Sequence, residues 1–187
     1  MPELPEVETT RRGITPFLEQ QRVSSIEVRN GSLRWPVSKE VYELKNQTVS
    51  EVIRRGKYII LQFELGSVLI HLGMSGSLRV VESKTLVEKH DHVDFHLKSE
   101  KTIRFNDPRR FGSVLWASKW QEHPLIASLG LEPFDEEFTG EYLYQAARNK
   151  KIAVKQFIMN SKLVVGVGNI YANEALFMAG IHPKRAA

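Results

Sequence analysis

Tyr58-Ile59-Ile60-Leu61-Gln62-Phe63, a Leu65-Gly66 turn and then Val68-Leu69-Ile70-His71 form the stretch whose reading decides the fold. Two short runs dense in β-branched and aromatic residues, split by a glycine turn, read as paired strands. The same texture recurs on either side, at Val23–Val28, 49–53, 77–81, 92–97, 102–105 and 113–116. Turn signals separate these runs at Asn30-Gly31, Ser75-Gly76, Lys98-Ser99 and Asp107-Pro108. About eight strands at regular spacing specify an antiparallel sandwich or barrel, with residues 37–44 as a short helix between strands.

Outward from this block the pattern becomes helical. Residues 2–19 carry Pro2 in a first turn, Glu3, Glu6 and Glu8 at the positive end, and Arg11 and Arg12 towards the other. Leu4, Val7, Ile14 and Leu18 give the apolar stripe, while Gly13 and Pro16 weaken the last turn. After Trp120, Pro124, Gly130 and Pro133 punctuate a linker, and Gly140–Ala147, 152–159 and 170–178 read as helices. The class is α+β, with a boundary near residues 130–138. The helical unit of about fifty residues is too small to close its own core. The chain is therefore expected to stop partway through a domain, leaving Leu163, Ile170, Leu176 and Phe177 without cover.

Composition excludes several classes. The chain has 187 residues, 42% hydrophobic and 26% charged, which is a globular balance and not that of a disordered tail. No apolar run approaches the ~18 residues of a membrane-spanning helix, and the N-terminus lacks the basic-then-apolar pattern of a secretory signal. With no cysteine, disulfides and thiolate metal sites are excluded within these residues. A net charge of +4 is compatible with a polyanionic partner, but the placement of the cations matters more than their sum.

The opening Met1-Pro2-Glu3-Leu4-Pro5-Glu6-Val7-Glu8 is the sharpest chemical feature. Removal of the initiator methionine exposes a proline secondary amine, a nucleophile able to form an iminium. Its pKa lies well below that of a lysine amine, and Glu3 beside it can move protons. The same residues also make an ordinary acidic helix start. Arg54-Arg55-Gly56-Lys57-Tyr58 reads either as a phosphate-facing turn or as a solvated charge cluster. In His71-Leu72-Gly73-Met74-Ser75-Gly76-Ser77 the methionine sits on a glycine-flanked tip, as a wedge for a base stack or as core filler.

His90, His92, Asp94 and His96 share a strand face. At about 6.8 Å between successive same-face residues they cannot converge on one metal ion, and phosphate contact by one or two histidines is the better reading. Asn106-Asp107-Pro108-Arg109-Arg110-Phe111-Gly112 places two arginines and an aromatic on a turn, suited to phosphate, base edge or stacking, with Asp107 bonding local backbone. Val165-Gly166-Val167-Gly168-Asn169 leads into a helix whose N–H groups can bind phosphate, or is a tight turn capped by Asn169. Lys150, Lys151 and Lys155 add charge upstream. Basic turns, wedge candidates and an unusual amine together match an enzyme that extrudes a base from a duplex.

Five motifs, Pro2–Glu8, His71–Gly76, His90–Asp94, Asp107–Gly112 and Val165–Tyr171, in this order and spanning essentially the whole chain, resemble the bacterial formamidopyrimidine-DNA glycosylase family. Leu4-Pro5-Glu6-Val7-Glu8 resembles this branch more than the endonuclease VIII branch, which usually opens with a glycine near position 4. The resemblance implies an N-terminal helix with an eight-stranded antiparallel β-sandwich over residues 1–134, and a partial helix–two-turn–helix domain over 135–187. It implies excision of 8-oxoguanine and ring-opened purines from duplex DNA, followed by abasic-site lyase cleavage through β,δ-elimination. Pro2 would be the nucleophile, Glu3 the proton donor or shuttle at the sugar, and Lys57 an assistant in proton transfer. Met74, Arg109 and Phe111 would fill the gap left by the base, with Arg109 facing the orphan cytosine. His71, His90, Arg110, Lys151, Lys155 and Asn169 would hold phosphates.

The resemblance further implies a cytoplasmic monomer, no cofactor or metal in these residues, and one structural zinc in a C-terminal finger. That finger is absent from residues 1–187, which leaves DNA affinity and the second elimination short of the family's full equipment. The competing readings are a catalytically impaired DNA-binding fragment and an endonuclease VIII-like glycosylase acting on oxidised pyrimidines.

Overall fold

The computed structural model describes residues 2–187, and the chain divides into two compact units, Met1–His123 and Pro124–Ala187. In the first, helix α1 (Leu4–Leu18) precedes strands β1 (Val23–Val28), β2 (Glu51–Arg55), β3 (Tyr58–Phe63), β4 (Gly66–His71), β5 (Ser77–Glu82), β6 (Asp91–Leu97), β7 (Lys101–Asn106) and β8 (Ser113–Ala117). Among the described residues these form two four-stranded antiparallel sheets, ordered β1-β6-β7-β5 and β2-β3-β4-β8. The architecture is the sandwich expected. β1 and β3 match their sequence bounds, because alternating or continuous β-branched runs ended by turn residues leave little choice of register.

The sheets close on each other through Val23, Ile59, Leu61, Val68, Ile70, Val93, Phe95, Ile103 and Phe105, all with 0% exposure. α1 packs across β2 and β5, one edge strand of each sheet, and buries Val7, Ile14 and Leu18 there. A 3₁₀ turn, Lys39–Glu43, packs against β1 and β8, the opposite pair of edges. Covering all four edges removes the unpaired strand borders that invite association.

The helix begins later than the sequence suggested. Pro2 lies outside it and Glu3 is the N-cap, with Glu6 Oε2 accepting from the Glu3 N–H at 2.9 Å. Pro5, not Pro2, occupies the first turn. At the other end the helix runs through Pro16 to Leu18, since Ile14 and Leu18 are 2% and 0% exposed and their burial outweighs one lost backbone bond.

β2 is displaced two residues towards its turn. Val49 exchanges bonds with the α1–β1 connection (Gln20 N to Val49 O at 2.7 Å, Val49 N to Gln21 O at 3.0 Å), so the strand with β3 extends through Arg54 and Arg55 instead. The turn is left with two residues, Gly56 and Lys57. Gly56 takes φ +56°, the conformation that a two-residue hairpin assigns to glycine at its first central position.

The second unit contains α2 (Pro124–Ala127), α3 (Gly140–Ala147), α4 (Val154–Ile158) and α5 (Asn169–Met178). Thr139 caps α3 by accepting from Tyr142 N at 3.1 Å. Pro124–Ala127, read as linker from its proline, is a single helical turn that buries Ile126. Leu163 and Leu176 are buried at 8% and 5%, against the expectation that they lack cover, whereas Ile170 and Phe177 stand exposed. No helix among the described residues is long and apolar enough to cross a membrane.

Candidate active site

The N-terminal segment and the β2–β3 turn meet at one electrostatic locus. Pro2 is half-buried in front of the helix, and Glu3 is 1% exposed. Initiator-methionine removal concerns Met1, which lies outside the described residues. Burial pushes the Lys57 amine below the ordinary lysine value, while the carboxylates of Glu3 and Glu6 pull it the other way. Lys57 therefore sits within the field of residues more than fifty positions earlier.

His71 ends β4, and its ring packs tilted on Tyr58 at 4.8 Å between centroids. Its Nδ1 accepts from the Gly73 N–H at 2.9 Å, which leaves the proton of the neutral ring on Nε2. Burial lowers its pKa to about 4, with the positive charges of Lys57 and Arg34 adding to the effect. The ring is thus a neutral donor at physiological pH.

A cavity of about 720 Å³ opens beside it, lined by Ser32, Leu33, Arg34, His71, Gly73, Met74, Arg109, Arg110 and Phe111. Met74 is 42% and Phe111 43% exposed, too open for core filler. The Arg109 guanidinium lies 4.7 Å from the Phe111 ring centroid, a stacked pair held at the rim by cation–π attraction. Pro2, Glu3 and Lys57 do not line this cavity, but the charge of Lys57 acts on His71 at its edge.

Asp107 joins the two tips. It is 0% exposed; Oδ1 accepts from Ser75 Oγ at 2.7 Å, Oδ2 from the Gly112 N–H at 2.8 Å, and its carbonyl lies 2.8 Å from His92 Nε2. Its part extends beyond the local backbone bond read from the sequence. Arg34 was also missed: it lines the cavity, its backbone N–H donates to Gly112 O at 3.1 Å, and its charge reaches His71 and Tyr58. The signal was a cation between Leu33 and Trp35 just after the Asn30-Gly31 turn.

His90 is half-buried against His92, ring centroids 6.3 Å apart. The rest of the histidine-rich face is engaged within the sheet. His96 Nδ1 lies 2.9 Å from Thr102 Oγ1, and Asp94 is 0% exposed and bonded to Arg104 and Arg29. Glu27, Asp94 and His96 do bring ligand atoms within 4.8 Å of one another. Arg29 Nη2, at 2.8 Å from Glu27 and 2.7 Å from Asp94, already supplies the cation between the two carboxylates.

In the second unit Lys151 is exposed, Lys155 is half-buried on α4, and Asn169 is exposed as the first residue of α5. Asn169 does not cap the helix; Gly168 does, because the extended Gly168 (φ −128°) takes the N-cap position and leaves the Asn169 side chain outward.

Fold and site together define a β-sandwich protein with an acidic helix start beside a half-buried lysine, a cationic cavity with an aromatic rim, and a following helical unit. The family model described as formamidopyrimidine-DNA glycosylase N-terminal domain matches residues 1–114, and that described as the H2TH domain of the same glycosylase matches 129–187. The chain belongs to the formamidopyrimidine-DNA glycosylase family. It is 56% identical over 188 residues to the formamidopyrimidine-DNA glycosylase of Marinobacter nauticus, covering 100% of this chain and 70% of that one. The Lactococcus lactis Fpg in complex with DNA containing an abasic site superposes with a TM-score of 0.91 at 31% identity, over 98% of this chain and 69% of that one. An inhibited LlFpg bound to DNA containing N7-benzyl-Fapy-dG gives 0.91 at 32% identity, over 99% and 70%.

Proposed function

We propose that this chain is a base-excision-repair DNA glycosylase that removes oxidised purines (8-oxoguanine and formamidopyrimidines) from duplex DNA and cleaves the strand at the abasic site. The observation that supports it best is the charge of the buried Glu3, next to Pro2 in sequence, acting on the desolvated Lys57 amine, in a chain of this family.

The Pro2 amine attacks the deoxyribose C1′. The C–N bond forms as the glycosidic bond breaks, and the damaged base leaves with the bonding electrons. The nitrogen, now an ammonium, gives up its proton to the departing base; Glu3 delivers a proton to the ring oxygen, the bond from C1′ to that oxygen breaks, and the freed nitrogen lone pair completes the iminium. The iminium acidifies the C2′ hydrogen; its loss expels the 3′ phosphate, and a second elimination releases the 5′ phosphate. Lys57, whose amine burial holds below the ordinary lysine value, relays protons at the nucleotide. Met74, Arg109 and Phe111 fill the vacated stack, which lowers the cost of extrusion. His71, His90, Arg110, Lys151, Lys155 and Asn169 bind backbone phosphates, His71 through a neutral Nε2–H. In this reading residues 1–134 form the catalytic domain and 135–187 part of the helix–two-turn–helix domain. The chemistry uses no cofactor. The family's structural zinc belongs to a finger that has no counterpart in these residues, which hold no cysteine. The site of action is the bacterial cytoplasm.

Borohydride trapping on an 8-oxoguanine:cytosine duplex tests the proposal. A covalent adduct that Pro2→Gly abolishes is the expected outcome, in protein that mass spectrometry shows to lack Met1. Trapping unaffected by Pro2→Gly, or full activity with Met1 retained, overturns the nucleophile assignment. Duplex binding with no adduct assigns the chain as a DNA-binding fragment.

A further inference from the structure

Glu8 and Arg54 take no part in the reaction described, yet they connect the two halves of the catalytic locus. Glu8 is on α1, five residues after the cap at Glu3. Its carboxylate accepts from Arg11 (Nε to Oε2 at 3.0 Å, Nη2 to Oε1 at 2.8 Å), from Arg12 Nε at 2.7 Å, and from Arg54 Nε at 3.1 Å. These bonds keep it ionised: the Arg11 hydrogen bond is foremost in lowering its pKa to about 2. Arg11 in turn donates to the Val52 carbonyl at 3.3 Å, so α1 is tied to β2 at two points.

Arg54 passes this anchorage on. While Nε engages Glu8, Nη1 donates to the Gly56 carbonyl at 3.1 Å. That carbonyl belongs to the planar peptide unit whose other end is the Lys57 nitrogen. Fixing its orientation fixes the direction in which the chain enters Lys57, at a buried glycine of φ +56°. Both bonds require the planar guanidinium, which offers separate donors at fixed angles.

We propose that Glu8 and Arg54 are positioning residues for the glycosylase reaction, holding the Gly56–Lys57 peptide so that the Lys57 amine stays at the Pro2–Glu3 segment. The proposal rests on the reading of Lys57 as a proton carrier. Arg54 acts through the shape of its side chain, and its charge alone does not suffice.

The test compares Arg54→Lys, Arg54→Ala, Glu8→Gln and Lys57→Ala in single-turnover excision of 8-oxoguanine, with duplex affinity measured separately and thermal unfolding as a check on folding. Arg54→Lys is expected to lose about ten- to a hundredfold in the rate constant, as small misplacements of catalytic groups do, with duplex Kd nearly unchanged and no rescue relative to Arg54→Ala. Adding Arg54→Lys to Lys57→Ala should then cost nothing further. In ¹³C-lysine NMR the Lys57 amine of Arg54→Lys should titrate closer to the ordinary lysine value than in the native chain, a readout that needs no turnover. Wild-type rate with Arg54→Lys, weaker duplex binding at an unchanged rate constant, or an unmoved Lys57 titration overturns the proposal. If Lys57→Ala itself leaves excision intact, the reading of the site falls first. If Lys57→Ala is impaired and Arg54→Lys is not, only the positioning role falls. Should Arg54→Ala fail to fold, Arg54→Lys and Glu8→Gln decide the question.

Discussion

Ser75 donates its hydroxyl to Asp107 Oδ1 at 2.7 Å, across 32 positions of sequence. Asp107 Oδ2 receives the Gly112 N–H at 2.8 Å and Oδ1 the Arg109 N–H at 3.3 Å, so one buried carboxylate sets the spacing between the Met74 tip and the Arg109–Phe111 tip. A wedge works only if its parts enter the stack together. Asp107→Asn keeps the volume but turns one acceptor into a donor facing an N–H or a hydroxyl. It should cost about 1–3 kcal/mol of stability and weaken binding to an abasic duplex, whereas Ser75→Ala should cost about 1 kcal/mol. Urea unfolding and duplex titration of both variants check this. Unchanged duplex affinity in Asp107→Asn would show that the tips do not depend on this carboxylate.

Gly73 supports the same arrangement through its missing side chain. Its φ is +64°, and a Cβ there would lie 2.4 Å from both the Gly112 nitrogen and the Phe111 carbonyl carbon. Neither obstacle is a flexible side chain, so Gly73→Ala must part the two tips or strain the turn. Excision and melting temperature should both fall. Gly13, exposed within α1 with nothing within 4 Å of an added methyl, gives the opposite sign. Gly13→Ala should stabilise by about 0.5–1 kcal/mol without touching excision. Differential scanning calorimetry on the pair checks both signs.

The strands were legible because their signal is local: β-branched runs and turn residues suffice for β3, and in β6 Val93 and Phe95 join the hydrophobic core while the equally buried His92 and Asp94 do not. β2 was misplaced because Val49 finds its partner in the α1–β1 connection, which no pattern within residues 49–53 could reveal. Pro2 stood out in the sequence as an unusual terminal amine, whereas Lys57 read only as one cation of a basic turn until the family resemblance gave it a role. Their common neighbour Glu3 gained its burial from tertiary packing alone. Asp107 was read as a local turn former since an aspartate before proline usually is one, and its bond to Ser75 exists only once β5 and β7 pair.

The outer face of the β1-β6-β7-β5 sheet holds a buried ion network that carries no chemistry in the proposed reaction. Arg104 is 2% exposed; it bonds Asp94 at 2.9 Å through Nη2 and donates to Leu86 O at 3.0 Å, while Asp94 also receives Arg29. Arg104→Ala leaves Asp94 with only Arg29, and Asp91 with Arg79 at 3.0 Å but without the Arg104 guanidinium at 3.4 Å. Removal of one member of such a buried cluster should destabilise by about 3–5 kcal/mol. Lys119→Ala, which breaks a pair exposed at 70% on both sides, should change stability by less than about 0.5 kcal/mol. Chemical denaturation separates the two, and comparable losses would contradict burial as the factor that decides the strength of these ion pairs.

His71 makes stability depend on pH in a direction set by its lowered pKa. The folded ring titrates at about 4 and the unfolded one near the ordinary value of 6.5, because burial and the charges of Lys57 and Arg34 oppose protonation. Protonating Nδ1 would also break its bond with the Gly73 N–H. Below the ordinary value the unfolded chain binds the extra proton and the folded chain does not, so the neutral ring's contribution is complete above about pH 6.5 and is lost as pH falls towards 4. Between pH 7 and 5 the native chain should lose roughly 2 kcal/mol more than His71→Gln, which has no titrating ring. Urea unfolding of both proteins at the two pH values measures the difference directly. Parallel losses would mean that His71 is solvated well enough to take up its proton in the folded state, and with it the assignment of His71 as a neutral phosphate donor would fail.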